Sequence, residues 1–142
     1  MELLPFLVDI PHVDVVFETN RWEIRESEQG KLDEAYTRLL QAIREHGSKI
    51  KARVYIVGHT DTVGKTQDNL VLSRRRADAI AGYFKDKGGI TLPIMACGVG
   101  ESFLAIKTGD NADEARNRRA QYILAAQTPI ACSWTTVSSG RP

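Results

Sequence analysis

One hundred and forty-two residues suffice for a single domain with a core of its own. The hydrophobic share of 42% and charged share of 26% are those of an ordinary globular domain. A net charge of +1 gives no bulk field to draw nucleic acid or an anionic membrane, so any anion recognition must come from local clusters, Arg74-Arg75-Arg76 and Arg116 with Arg118-Arg119.

The chain opens on an apolar run, Leu3 to Ile10, of eight residues interrupted by Pro5 and Asp9. It is too short to span a membrane and lacks the basic start and small-residue cleavage site of a signal peptide. His12 to Phe17 alternates and is β-branched, which predicts a strand. Glu18 to Arg25 is polar and predicts a loop. Leu32, Ala35, Tyr36, Leu39, Leu40 and Ile43 then form one helical stripe, preceded by Gly30 and ended by Gly47. Arg44 and His46 fall in its last turn, where the helix dipole favours positive charge.

Ala52 to Val57 is the clearest strand and runs into Gly58. His59 to Asp68 reads as a loop, with Asp68 or Asn69 able to cap the next helix. Leu72, Ala77, Ile80, Ala81 and Phe84 give that helix a buried face, and Gly88-Gly89 stops it. Leu92 to Cys97 predicts a third strand, closed by Gly98 and Gly100. Glu101 to Gly109 reads as loop and Asp113 to Arg118 as a short helix or turn. Arg119 to Ala125 predicts a last strand, with Gln121 and Ile123 on one face and Tyr122 and Leu124 on the other. The order is β-α-β-α-β-(α)-β, which predicts an α/β (α+β) fold with one mixed sheet and helices packed against it, at least two strands being parallel. Residues 1–126 form one domain on this reading, and 127–142 are a weakly specified tail rich in Ser, Thr and Pro.

Cys97 and Cys132 have no CxxC spacing, and only His12, His46 and His59 could join them, which argues against a zinc site and any metal cofactor. They either pair in an oxidising compartment or remain two buried thiols.

Asp61 follows a strand end and Arg76 sits on the next helix, 15 residues on. The two offer a carboxylate for an ammonium and a planar guanidinium for a carboxylate, which suits a zwitterionic amino-acid end group. The plain alternative is that they pair with each other or cap helix ends. A hydrolase is disfavoured: His59 and Asp61 have no second placed carboxylate, no metal-ligand spacing and no G-x-S-x-G elbow nearby.

Gly58-His59-Thr60-Asp61, Gly64, and then Asn69, Leu72-Ser73 and Arg76-Ala77 form a pattern G-H-T-D-x-x-G…N-x-x-L-S-x-x-R-A. It resembles the OmpA-like C-terminal peptidoglycan-binding domain family, shared by outer-membrane lipoproteins and flagellar stator proteins. Val15-Val16-Phe17-Glu18-Thr19-Asn20-Arg21 fits the family's first strand and loop, Gly98-Val99-Gly100-Glu101-Ser102 its G-x-G-E-S turn, and Asn117-Arg118-Arg119-Ala120 its N-R-R-V segment. The resemblance covers about Val15 to Leu124.

What the resemblance implies is a non-catalytic module that binds meso-diaminopimelate of the peptidoglycan stem peptide and tethers an envelope protein to the cell wall. Asp61 and Arg76 would hold the ligand. Asn20 and Arg118 would support them, with Thr60 and Asn69 nearby. Gly58 and Gly64 would shape the loop, His59 would bond within it, and Asn69 and Ser73 would bond backbone groups around the helix start. Two positions depart from the family: Leu104 replaces a proline and Glu114 replaces an arginine, placing an extra carboxylate near the expected clamp. The Glu114 departure, with a tail from Gln127 that has no counterpart in the family pattern, keeps open a structural or assembly module that has lost the ligand. Trp22 is either an aromatic at the binding rim or a packing residue. The implied location is periplasmic, with no membrane insertion by this segment and its signal or anchor removed; the alternative is that Met1 is native and the periplasmic reading fails. A homodimer through a sheet edge or the first helix is compatible with the pattern.

Overall fold

The computed structural model describes residues 7–18, 20–47, 52–60, 65–100 and 119–137. Five strands form one mixed sheet: β1 (Leu7–Asp9), β2 (Arg53–Gly58), β3 (Ile94–Gly98), β4 (Ala120–Ala125) and β5 (Thr135–Val137). Their spatial order is β1-β4-β2-β3-β5. Strands β2 and β3 are parallel, from Val54↔Ile94 to Gly58↔Gly98. The other pairings are antiparallel. Among the described residues two α-helices, α1 (Gln29–Ala42) and α2 (Thr66–Asp86), follow β1 and β2 in the chain.

The main core lies between the helices and the sheet. Leu32, Ala35 and Leu39 of α1 and Ala77, Ile80, Ala81 and Phe84 of α2 meet Val54, Ile56, Ala96, Tyr122 and Leu124. These are the stripe positions read from the sequence, because a helix buries residues three and four apart and a strand every second one. Gly30 lies inside the first turn of α1 rather than before it. A single π-helical turn, Ile43–Gly47, carries the helix to its expected end.

The predicted strand His12–Phe17 is not one. Val15 and Phe17 do alternate into the core at 2% and 1% exposure, but the backbone joins no ladder. Pro11 has no N–H to offer, and the Val16 N–H is taken by the Glu28 carboxylate at 2.6 Å. The first strand lies upstream, within the opening apolar run, where Leu7–Asp9 pair with Ile123–Ala125. A second correction concerns the start of α2. The helix begins at Thr66, with Lys65 at the N-cap position and no side-chain cap bond. Asp68 and Asn69 therefore sit inside its first turn. At its other end α2 stops at Asp86, and Gly88 adopts φ 80°.

Residues 127–137 are firmly tied to the fold. They cross the sheet face opposite the helices, where Ile130, Cys132 and Trp134 cover Tyr55, Val57, Val99 and Ile123. Trp134 meets Tyr55 edge-on at 4.9 Å. Cys132 is disulfide-bonded to Cys97 of β3, and β5 then pairs with β3. Strand β2 is thus buried on both faces, which accounts for its unbroken apolar run.

Candidate functional site

The inward face of α2 changes character along its length. Its second half is apolar, but its first half presents Asn69, Ser73 and Arg76, exposed by 4%, 0% and 1%. Helical spacing puts the three on one stripe with Ala77 and Ile80. This polar stretch lies over the ends of the parallel strands β2 and β3.

Close approach of backbone fixes that arrangement. A Cβ on Gly58 would run into the Ser73 carbonyl and lie 3.3 Å from the Ala77 Cβ. One on Gly98 would strike the Arg74 amide and Ser73 Oγ. Only glycine lets the helix settle this near both strands. Ser73 Oγ donates to the Leu70 carbonyl at 2.8 Å and accepts the Gly100 N–H at 2.8 Å. The segments leaving the sheet are then stitched together: Thr60 N–H to Gly100 O at 2.9 Å, Val99 N–H to Gly58 O at 3.1 Å, and His59 N–H to Arg119 O at 2.8 Å.

Among the described residues Arg76 is the largest fully buried side chain. Its Nε–H donates to the Arg21 carbonyl at 2.8 Å and Nη2 to the Glu18 carbonyl at 3.1 Å. Its guanidinium carbon lies 5.0 Å from the Phe17 ring centre. The same Glu18 carbonyl accepts the Arg21 N–H at 3.0 Å. That bond closes a four-residue turn whose third position is Asn20, exposed and at φ 61°. Asparagine tolerates this left-handed geometry better than most residues. The family resemblance puts Asn20 and Arg76 at one site; in the structure Arg76 bonds the carbonyls of Glu18 and Arg21, on either side of Asn20. Those acceptors are backbone atoms and leave no signal in residue type.

Thr60 is 1% exposed, and its hydroxyl bonds no described residue. His59, also 1% exposed, does not bond only within its loop as expected. Its Nε2 lies 2.9 Å from the Gln121 side-chain oxygen on β4. The alternation of β4 put Gln121 on the right face, yet nothing in the sequence named its partner. Trp22 is half-buried, with the Arg75 guanidinium 4.5 Å over its ring. Asp61, Gly64, Arg118, Glu101, Ser102, Leu104 and Glu114 lie outside the described residues. Among the described residues no group of His, Cys, Asp or Glu is placed to hold a metal, and no helix is long and apolar enough to cross a membrane.

With this geometry in view, the comparisons with known proteins decide the family. A family model described as "OmpA family" matches residues 16–118. The chain belongs to the OmpA family. Outer membrane protein A of Klebsiella aerogenes is 34% identical over 107 residues, which span 75% of this chain and 29% of that protein. Outer membrane protein P5 of Haemophilus influenzae is 32% identical over 108 residues, or 75% of this chain and 28% of that protein. The chain thus spans less than a third of these OmpA-family relatives. Among solved structures, the peptidoglycan-associated lipoprotein from Burkholderia pseudomallei superposes with a TM-score of 0.62 at 23% identity, covering 78% of this chain and 88% of that one. The cell wall anchor of the T6SS from Pseudomonas aeruginosa does so at 0.57 and 23%, covering 85% and 88%. At that identity the superpositions establish the fold: the mixed α+β sheet with two helices is the OmpA-like one.

Proposed function

We propose that this domain is a non-covalent peptidoglycan-binding module that tethers an envelope protein to the cell wall by gripping meso-diaminopimelate of the stem peptide. The observation that carries the reading is Arg76. A guanidinium at 1% exposure is costly to bury unless bonded, and here the Asn20 turn bonds it and sets its plane. A fixed guanidinium suits a carboxylate, because its donors match the two oxygens. Asp61, next in sequence to the buried Thr60, supplies the opposite charge for the ammonium. Asn20, Arg118, Thr60 and Asn69 complete the set. Binding requires no covalent step. The names of two structural relatives, a peptidoglycan-associated lipoprotein and a cell wall anchor, support the wall as partner. The Cys97–Cys132 disulfide supports an oxidising compartment such as the periplasm.

One observation favours a second reading. The bonds from Arg76 to the carbonyls of Glu18 and Arg21 would also suit an arginine kept purely to hold a loop, in an assembly module without a ligand. Calorimetric titration with meso-diaminopimelate and a stem-peptide fragment separates the two. Binding by the wild type and its loss in Asp61→Ala supports the wall anchor. No heat from either, in protein that is folded, refutes it.

A further inference from the structure

His12 is held by oxygen at both ring nitrogens. Nδ1 lies 2.7 Å from the Ile10 carbonyl oxygen. Nε2 lies 2.9 Å from the Ala120 carbonyl oxygen and 3.0 Å from the Asp14 carboxylate. These oxygens only accept. A neutral imidazole has one N–H, so it would set a bare lone pair against an oxygen; the imidazolium donates at both ends. The ring packs against Tyr122 with centroids 4.1 Å apart and the side chain is 9% exposed, so a lone pair set against one of these oxygens is poorly relieved by water.

The position of this contact gives it reach. Ile10 N–H bonds the Tyr122 carbonyl at 2.8 Å, and the next anchor downstream is Val16 N–H on Glu28. Between them, among the described residues, the segment is bonded to the rest of the fold through His12 and through Arg38 of α1, which donates to the Pro11 carbonyl at 2.9 Å. The segment leads directly to Phe17 and Glu18, on which Arg76 rests. At the other end of the contact, Ala120 follows Arg119, whose carbonyl holds the His59 N–H.

We propose that His12 is a protonation-dependent clip: as imidazolium it fastens the segment bearing the bed of Arg76 to the start of β4, and on losing its proton it releases that segment. The consequence for wall binding rests on the function proposed above; the clip itself does not. The charged groups around it are consistent. Asp14 on its own segment favours the cation, and Asp9 at the end of β1 and Arg119 before β4, of opposite charge, line the same shallow cavity. Arg38 is engaged by Glu34 at 2.7 Å. Tyr122 stays a neutral phenol, because burial raises its pKa. Burial by itself lowers the His12 pKa, but the bonds to Asp14 and to the Ile10 and Ala120 carbonyls outweigh it and leave the pKa raised.

The test follows the whole domain from about pH 5.5 to about pH 8.5, the window in which histidines titrate. Three quantities are read: the His12 ring-proton NMR titration, amide exchange over residues 10–16, and retention on purified peptidoglycan sacculi. The His12 midpoint is expected above the value of about 6.5 for a free histidine. Amide protection and retention should fall together through that midpoint, retention by about fivefold, the lower end of ordinary coupling between sites. His12→Gln should be weakly retained and insensitive to pH. Asp14→Asn, which keeps the ring, should lower the midpoint. A midpoint below that of a free histidine, or protection unchanged through it, overturns the clip. Protection that falls while retention stays flat overturns its control of the site. No retention at any pH refutes the wall-binding reading, and the clip is then decided by the midpoint and the protection alone.

Discussion

Replacing both Cys97 and Cys132 with alanine should remove a large part of the domain's stability. The bridge joins residues 35 apart, and a loop of that length restricts the unfolded chain by about 4 kcal/mol in the chain-entropy model. The native side of the balance changes little, because Cys97 packs among Val57, Val99 and Ile123 and alanine is only slightly smaller. The tail would keep its three ladder pairs with β3 and the Tyr55–Trp134 contact, so the fold should survive at lower stability. Urea denaturation of the oxidised wild type and the double variant measures the difference. With a slope of about 2 kcal/mol per molar, the midpoint should drop by about 2 M. A drop under about 0.5 M at unchanged slope would refute the argument that the bridge restrains the unfolded chain.

Four further outcomes follow from the geometry. Gly98→Ala places a Cβ against the Arg74 backbone and Ser73 Oγ, and because the backbone cannot yield it should cost about 1–3 kcal/mol, read by denaturation. Arg76→Lys keeps the charge but cannot span the carbonyls of Glu18 and Arg21; it should lose about 2 kcal/mol of stability, with stem-peptide binding reduced at least as much as expected for a broken charge-assisted bond. Glu28 is held below the usual carboxylate range by its bond to Lys31, with Val16 N–H adding to it. Its contribution is therefore complete above the unfolded carboxylate pKa and is lost as pH falls through the folded one, so Glu28→Gln should flatten the acid limb of a pH–stability curve. The His12 pKa is raised, which gives the opposite sign: its contribution is complete below the unfolded histidine value and disappears as pH rises through the folded one. His12→Gln should flatten the stability curve on that alkaline side.

Both helices, the central strands and the family motif were legible because they rest on periodicity and local spacing. Leu32, Ala35 and Leu39 are buried where the stripe put them, and Tyr122 and Leu124 face the helices while Ile123 faces away. Even the burial of Arg76 follows from its place on the stripe of Leu72, Ser73 and Ile80. Its partners do not, since a backbone carbonyl looks the same at every position. The first strand was misplaced because Val13, Val15 and Phe17 carry a strand's alternation without its hydrogen bonds. The Val16 donor went to Glu28, twelve residues away.

The sequence by itself determined both helices and the strands β2, β3 and β4, which of their faces are apolar, and, through the G-H-T-D and L-S-x-x-R-A residues, the OmpA family. Those properties are set by neighbours within a few positions. Tertiary structure decided that β4 lies between β1 and β2, that the tail covers the second face of the sheet, and that His59 reaches Gln121 and His12 reaches Ala120. Each of those contacts joins residues far apart in the chain. Their choice depends on which buried donors and acceptors remain to be satisfied once the core has formed, and only the folded chain answers that.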